Sequence, residues 1–426
     1  MPECLKRACL RSALVTTQIV TICLLLLFIP GASPAQQQGP WWTWPTIDGN
    51  WFGYRHALAD HGVVFSGTTV VDLQGNVSGG QSKGFAAADA SLLALDTDLE
   101  KLAGIKGFLL HVEFVENAGQ NLSAKNIDNV LQVGTAFAQP GYYLGQMYAQ
   151  QKLFNDKFIL QVGRMTTANN FASLPVFADY VSFTDNPIPI SLTNNTTYFT
   201  SLPAVEWASV GTFTPTQSIS IGVGIYGTNL ASGVPFASQH GLDFSLNGSG
   251  GPMEVGQLTY NVNQESNQTG LPGRYYIGGF YSGADYQALS DGSRKRGNYG
   301  FYLEGQQMIS RYGGPGSDIG LTPWFAITYN PQQSINPLPV LALVGVIYHG
   351  LIPGRGDDNL GIGFYYGKLS TVLPAHTGEK VLELDYTLWA TSWLAITPDF
   401  QYVFNPSGGS SSRNAPVPGL QFQVLF

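Results

Sequence analysis

The chain has 426 residues, of which 11% are charged and 44% hydrophobic, with 51 glycines, 21 tyrosines and 24 phenylalanines. Ordinary soluble domains carry about 25% charged residues, and beyond the N-terminal segment no apolar run reaches the roughly 18 residues of a spanning helix, so neither class fits. The formal charge of −8 argues against a nucleic-acid partner, which calls for a basic patch.

Lys6, Arg7 and Arg11 precede an apolar stretch from Ala13 to Ile29, and Pro30-Gly31 and Ser33-Pro34-Ala35 follow. That order is a secretory signal, with cleavage expected after Ala35, so residues 1–35 are set aside. Cys4, Cys9 and Cys23, the only cysteines, all lie there. The exported chain therefore has no disulfide framework. Removing three basic and one acidic residue from totals of 20 and 28 leaves 17 basic and 27 acidic side chains. An exported, charge-poor chain rich in aromatics and glycine matches a β-barrel of a Gram-negative outer membrane, with lipid on one face and water on the other.

Residues 36–62 are expected as an N-terminal periplasmic segment. Trp51 to Ala59 reads as a short helix capped by Asp48 or Asn50, and Trp41, Trp42 and Trp44 as packing against the barrel. From residue 63 to 426 the pattern has period 2, with sixteen strand candidates running from about 63–72 to 417–426. In Ser218–Tyr226, Ile219, Ile221, Val223 and Ile225 alternate with Ser218, Ser220, Gly222 and Gly224. In Lys380–Trp389, Leu382, Leu384, Tyr386 and Leu388 alternate with Val381, Glu383, Asp385 and Thr387. Trp393–Phe404 sets Leu394, Ile396, Phe400 and Tyr402 against Ala395, Thr397, Asp399 and Gln401. Carboxylates opposite an unbroken apolar face require lipid on one side and water on the other. Leu338–Ile347 is apolar on both faces, which fits a strand covered from inside.

The predicted fold class is an all-β transmembrane antiparallel barrel of about sixteen strands with a short N-terminal helix. Short connections (Lys101–Ile105, Phe154–Asp156, Thr214–Gln217, Thr391–Ser392) interleave with long ones, as periplasmic turns and outer loops do. The longest, about 165–203, is an outer loop after the fifth strand. Pro175, Pro187, Pro189 and Pro203 break any ladder in it, while Phe171, Phe177, Tyr180, Phe183, Tyr198 and Phe199 argue against disorder. It is expected to fold into the lumen and constrict it. A soluble sandwich or propeller would need neither this strand length nor this many strands.

Several stretches also resemble a known family. DGNWFGYRHALADHGVVFSG (48–67), LDTDLEKLAGIKGFLLHVEF (95–114), NLSAKNIDNVLQV (121–133), FILQVGRMTTANNFA (158–172), LPGRYYIGGFYSG (271–283), NYGFYLEGQQMISR (298–311) and ATSWLAITPDFQYVFNPSGG (390–409) are similar, in order, to the carbohydrate-selective outer-membrane porins of the OprB family. The resemblance covers almost all of the exported chain. It implies a sixteen-stranded porin that admits glucose-like monosaccharides by passive diffusion past an inward-folded loop, without cofactor. It further implies that the terminal Phe426 is read by the barrel assembly machinery. Many members carry a cysteine pair in the constriction loop, where Ala178 stands here. A general, non-specific porin is the alternative, and the sequence leaves monomer and homotrimer open.

A sugar constriction wants aromatic faces and polar groups that both donate and accept hydrogen bonds. The candidate lining residues are Arg164 at the junction of fifth strand and loop, His111 and Glu113 on one face of Phe108–Phe114, and Glu206 and Trp207 on the sixth strand. Asp179, Tyr180, Asn194 and Asn195 are the candidates within the loop. Strict alternation would turn Arg164 outward with Phe158, Leu160 and Val162. At mid-membrane that costs about 2–4 kcal/mol, so a break in alternation at Gly163 is expected to turn it inward. Gly222, Gly224 and Gly227 spell a dinucleotide fingerprint, but no helix pattern follows; inward glycines in a crowded barrel explain the string. The six histidines sit in no nucleophile or metal motif, so no catalytic or metal site is expected, and an enzyme or adhesin is a remote alternative.

Overall fold

The computed structural model describes residues 39–229, 240–246, 250–264, 269–374, 377–409 and 412–426. The expected secretory signal, residues 1–35, lies outside the described residues. Sixteen strands make up the wall. They are Val63–Asn76 (β1), Gly84–Asp98 (β2), Phe108–Gly119 (β3), Gly141–Leu153 (β4), Phe158–Met165 (β5), Glu206–Thr216 (β6), Ile219–Tyr226 (β7) and Gly250–Val262 (β8). Gly273–Gln287 (β9), Arg294–Gln307 (β10), Gly320–Tyr329 (β11), Val340–His349 (β12), Asn359–Lys368 (β13), Glu379–Thr391 (β14), Leu394–Phe404 (β15) and Ala415–Leu425 (β16) complete it. Each strand pairs antiparallel with the next, and β1 also pairs with β16 from Thr68↔Leu425 to Gln74↔Gly419, which closes the barrel. Phe426 extends that seam by exchanging backbone hydrogen bonds with Gly67. The two-residue pairing Ser310–Arg311 adds to the start of β11.

The alternation read from sequence is the alternation of the wall. Ile219, Ile221, Val223 and Ile225 are exposed outward, as are Leu382, Leu384 and Phe400. Glu383, Asp385, Asp399 and Gln401 are buried on the opposite face. An apolar outer band of this kind is stable only against lipid.

The first described residues and the C-terminal strand meet at one end of the barrel: Ile47 N donates to Leu425 O, and the Trp393 indole donates to Trp41 O. The expected helix appears as a single 3-10 turn, Trp51–Gly53, followed by α1, Tyr54–Asp60. Of the two expected caps, Asn50 precedes the 3-10 turn and its Oδ1 accepts from His56 N at 3.1 Å, Gly53 in the left-handed region leads into α1, and Asp48 pairs with Arg55 at 2.7 Å. Arg55 in turn donates to Phe65 O and ties α1 to β1. The strict alternation of connection lengths also fails in part. At the end that holds the termini, 263–272, 308–319 and 350–358 are far longer than the turns after β4 and β14.

The segment between β5 and β6 does fold into the barrel. Phe171, Leu174, Phe177, Tyr180, Leu192, Tyr198 and Phe199 are at most 1% exposed and pack on inward-facing Tyr226, Phe280, Tyr302, Trp324 and Tyr365. Gly222 and Gly224 of β7 provide the room. A Cβ on Gly224 would fall 2.9 Å from the Phe171 ring, so the glycines of the fingerprint-like string are a seat for an aromatic side chain. Packing also explains β12, where Leu341, Leu343 and Ile347 are fully buried inside while Val344 is exposed outside.

Candidate functional site

The loop is held to the wall by hydrogen bonds rather than by a covalent staple. Asn195, at the end of the short helix Ile190–Asn195 (α2), brackets Leu338. Its Nδ2 donates to Leu338 O at 2.7 Å and its Oδ1 accepts from Leu338 N at 3.0 Å. The Tyr180 hydroxyl lies 3.1 Å from the carbonyl oxygens of Val346 and Ile362 and accepts from the Trp324 indole at 2.9 Å. The backbone N–H groups of Val181 and Ser182 donate to Glu383 Oε1. The neighbouring connection 120–140 is anchored alike: Val130 and Leu131 donate to Glu379, and Ala136 to Asp72. Inward carboxylates on β1 and β14 thus serve as acceptors for loop backbone, which would otherwise be buried unsatisfied.

Because the loop lies against β7–β14, open space remains on the side of β1–β4. A void of about 590 Å³ is bounded there by Asn117 and Gln146 of the wall and by Asn121, Gln132, Thr135 and Phe137 of the connection 120–140. Thr166, Asn169, Phe183, Asn186 and Ser201 of the loop complete it. Among the described residues, none that lines it is charged, and aliphatic side chains, Val70, Leu92, Val115 and Leu202 among them, make up much of the rest. Amides and hydroxyls both donate and accept, and Phe137 and Phe183 add two aromatic faces. Gln146 joins wall to loop, donating to Glu113 Oε2 at 2.9 Å and accepting from Thr166 N at 3.3 Å. A second void of about 980 Å³ lies toward the chain-termini end and is charged, with Asp179, Arg274, Arg311, Asp318, His349 and Asp357 among its lining residues.

Of the nine residues singled out in the sequence, few meet either void. Asp179 lines the larger one; it accepts from Asn359 at 3.0 Å and lies 3.8 Å from His349. Burial raises its pKa from 3.8 to about 6, against the opposing pull of His349. His111 and Glu113 are brought together on the inward face. His111 bonds Asp96 at 2.8 Å and stacks on Tyr148, and Glu113 orients Gln146. Tyr180 and Asn195 are buried anchors of the loop, and their polar atoms are spent on the wall. Asn194 and Glu206 line neither void; Glu206 is buried beside the loop's exit.

Arg164 corrects the expectation most sharply. It pairs with Trp207, on the face that exposes Val162 and Ser209, so both point away from the lumen. Gly163 leaves the alternation intact. The cost of an outward arginine is relieved by cover: its guanidinium donates to Gly241 O and lies 5.0 Å over the Phe244 ring. The Trp207 indole donates to Phe244 O. The outer segment 240–246 therefore shields the pair from lipid. Missed in the sequence were Asn117, Asn121, Gln132, Phe137, Gln146, Asn169, Phe183 and Asn186. Asn117 carried a signal, since it continues the inward parity of His111 and Glu113.

Comparison with known proteins agrees with this architecture. A family model described as carbohydrate-selective porin, OprB family, matches residues 82–426. Porin B of Pseudomonas aeruginosa is 24% identical over 423 residues, covering 89% of this chain and 90% of that protein. A high-pH structure of Pseudomonas putida OprB superposes with a TM-score of 0.81 at 23% identity, covering 90% of this chain and 99% of that one. Salmonella typhi OmpF, in complex with daunomycin, superposes with a TM-score of 0.57 at 10% identity, covering 86% and 99%.

Proposed function

The chain belongs to the carbohydrate-selective porins of the OprB family, and we propose that it passes neutral, glucose-like monosaccharides through the uncharged constriction between its inward loop and β1–β4. The observation that carries this reading is the lining itself: amides and hydroxyls, two phenyl rings and aliphatic side chains such as Val70, Leu92, Val115 and Leu202, with no charged side chain among the described residues. A sugar entering a narrow passage loses water from hydroxyls that both donate and accept, and Asn117, Gln132, Asn169 and Asn186 replace both kinds of hydrogen bond. The apolar face of the ring meets Phe137 or Phe183. A zwitterion of the same size finds no counter-charge there and bears the full desolvation penalty. Movement is passive and follows the gradient.

Proteoliposomes containing the purified barrel are expected to admit glucose several-fold faster than a zwitterionic solute of equal size. Equal rates would leave a general porin. In the same reading the terminal Phe426, at the β1–β16 seam, is the signal for assembly into the outer membrane, and residues 1–35 direct export.

A further inference from the structure

Glu383 and Asp385 on β14 and Asp399 on β15 face the seat of the constriction loop, and all three are buried. One oxygen from each lies within 4.8 Å of the other two. Two oxygens each about 2.4 Å from a calcium ion can be no further apart than about 4.8 Å. Among the described residues no Lys, Arg or His forms an ion pair with any of them. Gln74 and Gln401 donate to Asp399, and loop backbone donates to Glu383 and Asp385, but amides do not cancel several buried negative charges.

A second observation comes from the loop. Asp185 is fully buried, and its Oδ2 shares the Tyr365 hydroxyl with Glu383 Oε2, at 3.1 and 2.5 Å. That hydroxyl has one proton for two carboxylates. Among the described residues, Asp185 Oδ1 has no hydrogen-bond partner, nor has Asp385 Oδ1. A loop carboxylate with one unpartnered oxygen thus abuts a buried wall cluster that has no basic side chain paired to it among the described residues.

We propose that Glu383, Asp385 and Asp399 bind a divalent cation of the calcium class, with Asp185 drawn toward it from the loop. All donors are hard oxygens, without His or Cys, which disfavours zinc and suits calcium and its flexible coordination. The ion would clamp the loop backbone at Val181–Asp185 to β14 and β15 in a chain that has no cysteine there. This clamp does not depend on which solute permeates.

Terbium serves as the probe, because Tyr365 touches the cluster and Trp324 lies 6.4 Å from the Tyr365 ring, close enough to sensitise emission. The full barrel is purified in detergent free of lipopolysaccharide and stripped with EDTA. It is expected to show aromatic-sensitised emission saturating at one terbium per chain and displaced by calcium. Asp399→Asn and Glu383→Gln are each expected to weaken that binding at least tenfold, while Asp291→Asn, in the exposed connection after β9, leaves it unchanged. Should either variant misfold, the wild-type barrel alone decides: its Tm is expected to rise by several degrees in calcium relative to EDTA. Absence of saturable binding, binding that survives both substitutions, or an unchanged Tm would overturn the clamp and leave shared protons to neutralise the cluster.

Discussion

Phe137 and Phe183 stand on different segments and line one uncharged void, so each offers a ring face that a sugar's C–H groups can cover. An aromatic contact of this kind contributes about 0.5–1.5 kcal/mol, a factor of roughly 2–10 in affinity. Phe183→Ala is accordingly expected to weaken glucose-dependent block of single-channel current by that factor without lowering ion conductance. An unchanged block would remove Phe183 from the pathway. Asp179 is a different kind of residue, titrating in the wide void beside His349. Its folded pKa, about 6, lies above the ordinary 3.8, so the neutral form is favoured in the folded barrel. Its contribution to stability is thus greatest below pH 3.8 and is lost as pH rises toward 6. Its negative charge enters the void as pH rises through about 6. The reversal potential in a salt gradient should move toward cation preference as pH rises through about 6, and Asp179→Asn should flatten that step. A step that persists in the variant would assign it to another group.

At the scale of elements, the proposed function makes the loop between β5 and β6 the part that converts an open barrel into a selective one. Its hold on the segment leading into β12 includes Asn195, which satisfies both backbone groups of Leu338. Asn195→Ala orphans a buried N–H and a buried C=O, each at about 1–3 kcal/mol. The expected result is a noisier channel with transient high-conductance openings, read in planar bilayers. Deleting Ser173–Leu192 should go further, raising conductance and abolishing sugar discrimination. The wall strands were legible because period-2 alternation is a local signal: Leu382 and Leu384 against Glu383 and Asp385 settle which face is which without knowledge of any neighbour. The loop was legible as an irregular aromatic stretch of unusual length. Its path was not, because that depends on side chains brought from Gly222 to Tyr365 by barrel closure. For the same reason the lining was misread. Asn117, Gln132, Gln146 and Asn186 converge from four separate segments, and no spacing links them. Arg164 was misplaced because its cover, Gly241 and Phe244, comes from a loop far along the chain whose docking no local pattern reveals.

The whole molecule carries 27 acidic against 17 basic side chains once residues 1–35 are removed from the totals, which by itself suggests a mild cation preference. The distribution of those charges bears on how mild. Asp72, Glu379, Glu383, Asp385 and Asp399 are buried behind the loop and the connection 120–140, where they accept backbone and amide hydrogen bonds. They face neither void as free charges. The narrow void is lined without charge, and the wide one mixes Asp179, Asp318 and Asp357 with Arg274 and Arg311. On the proposed pathway, permeating ions meet a nearly balanced vestibule and a neutral constriction, and the cation preference should be weak, a permeability ratio of roughly 2–4 at 0.1 M salt, where charges act over about 10 Å. At 1 M salt, where that range falls to about 3 Å, the ratio should approach 1. Glu379→Gln removes a buried carboxylate outside both voids and should leave the ratio unchanged. A strong preference at 0.1 M that Glu379→Gln reduces would mean that the acidic wall is open to the lumen, and that the loop stands away from it in the membrane.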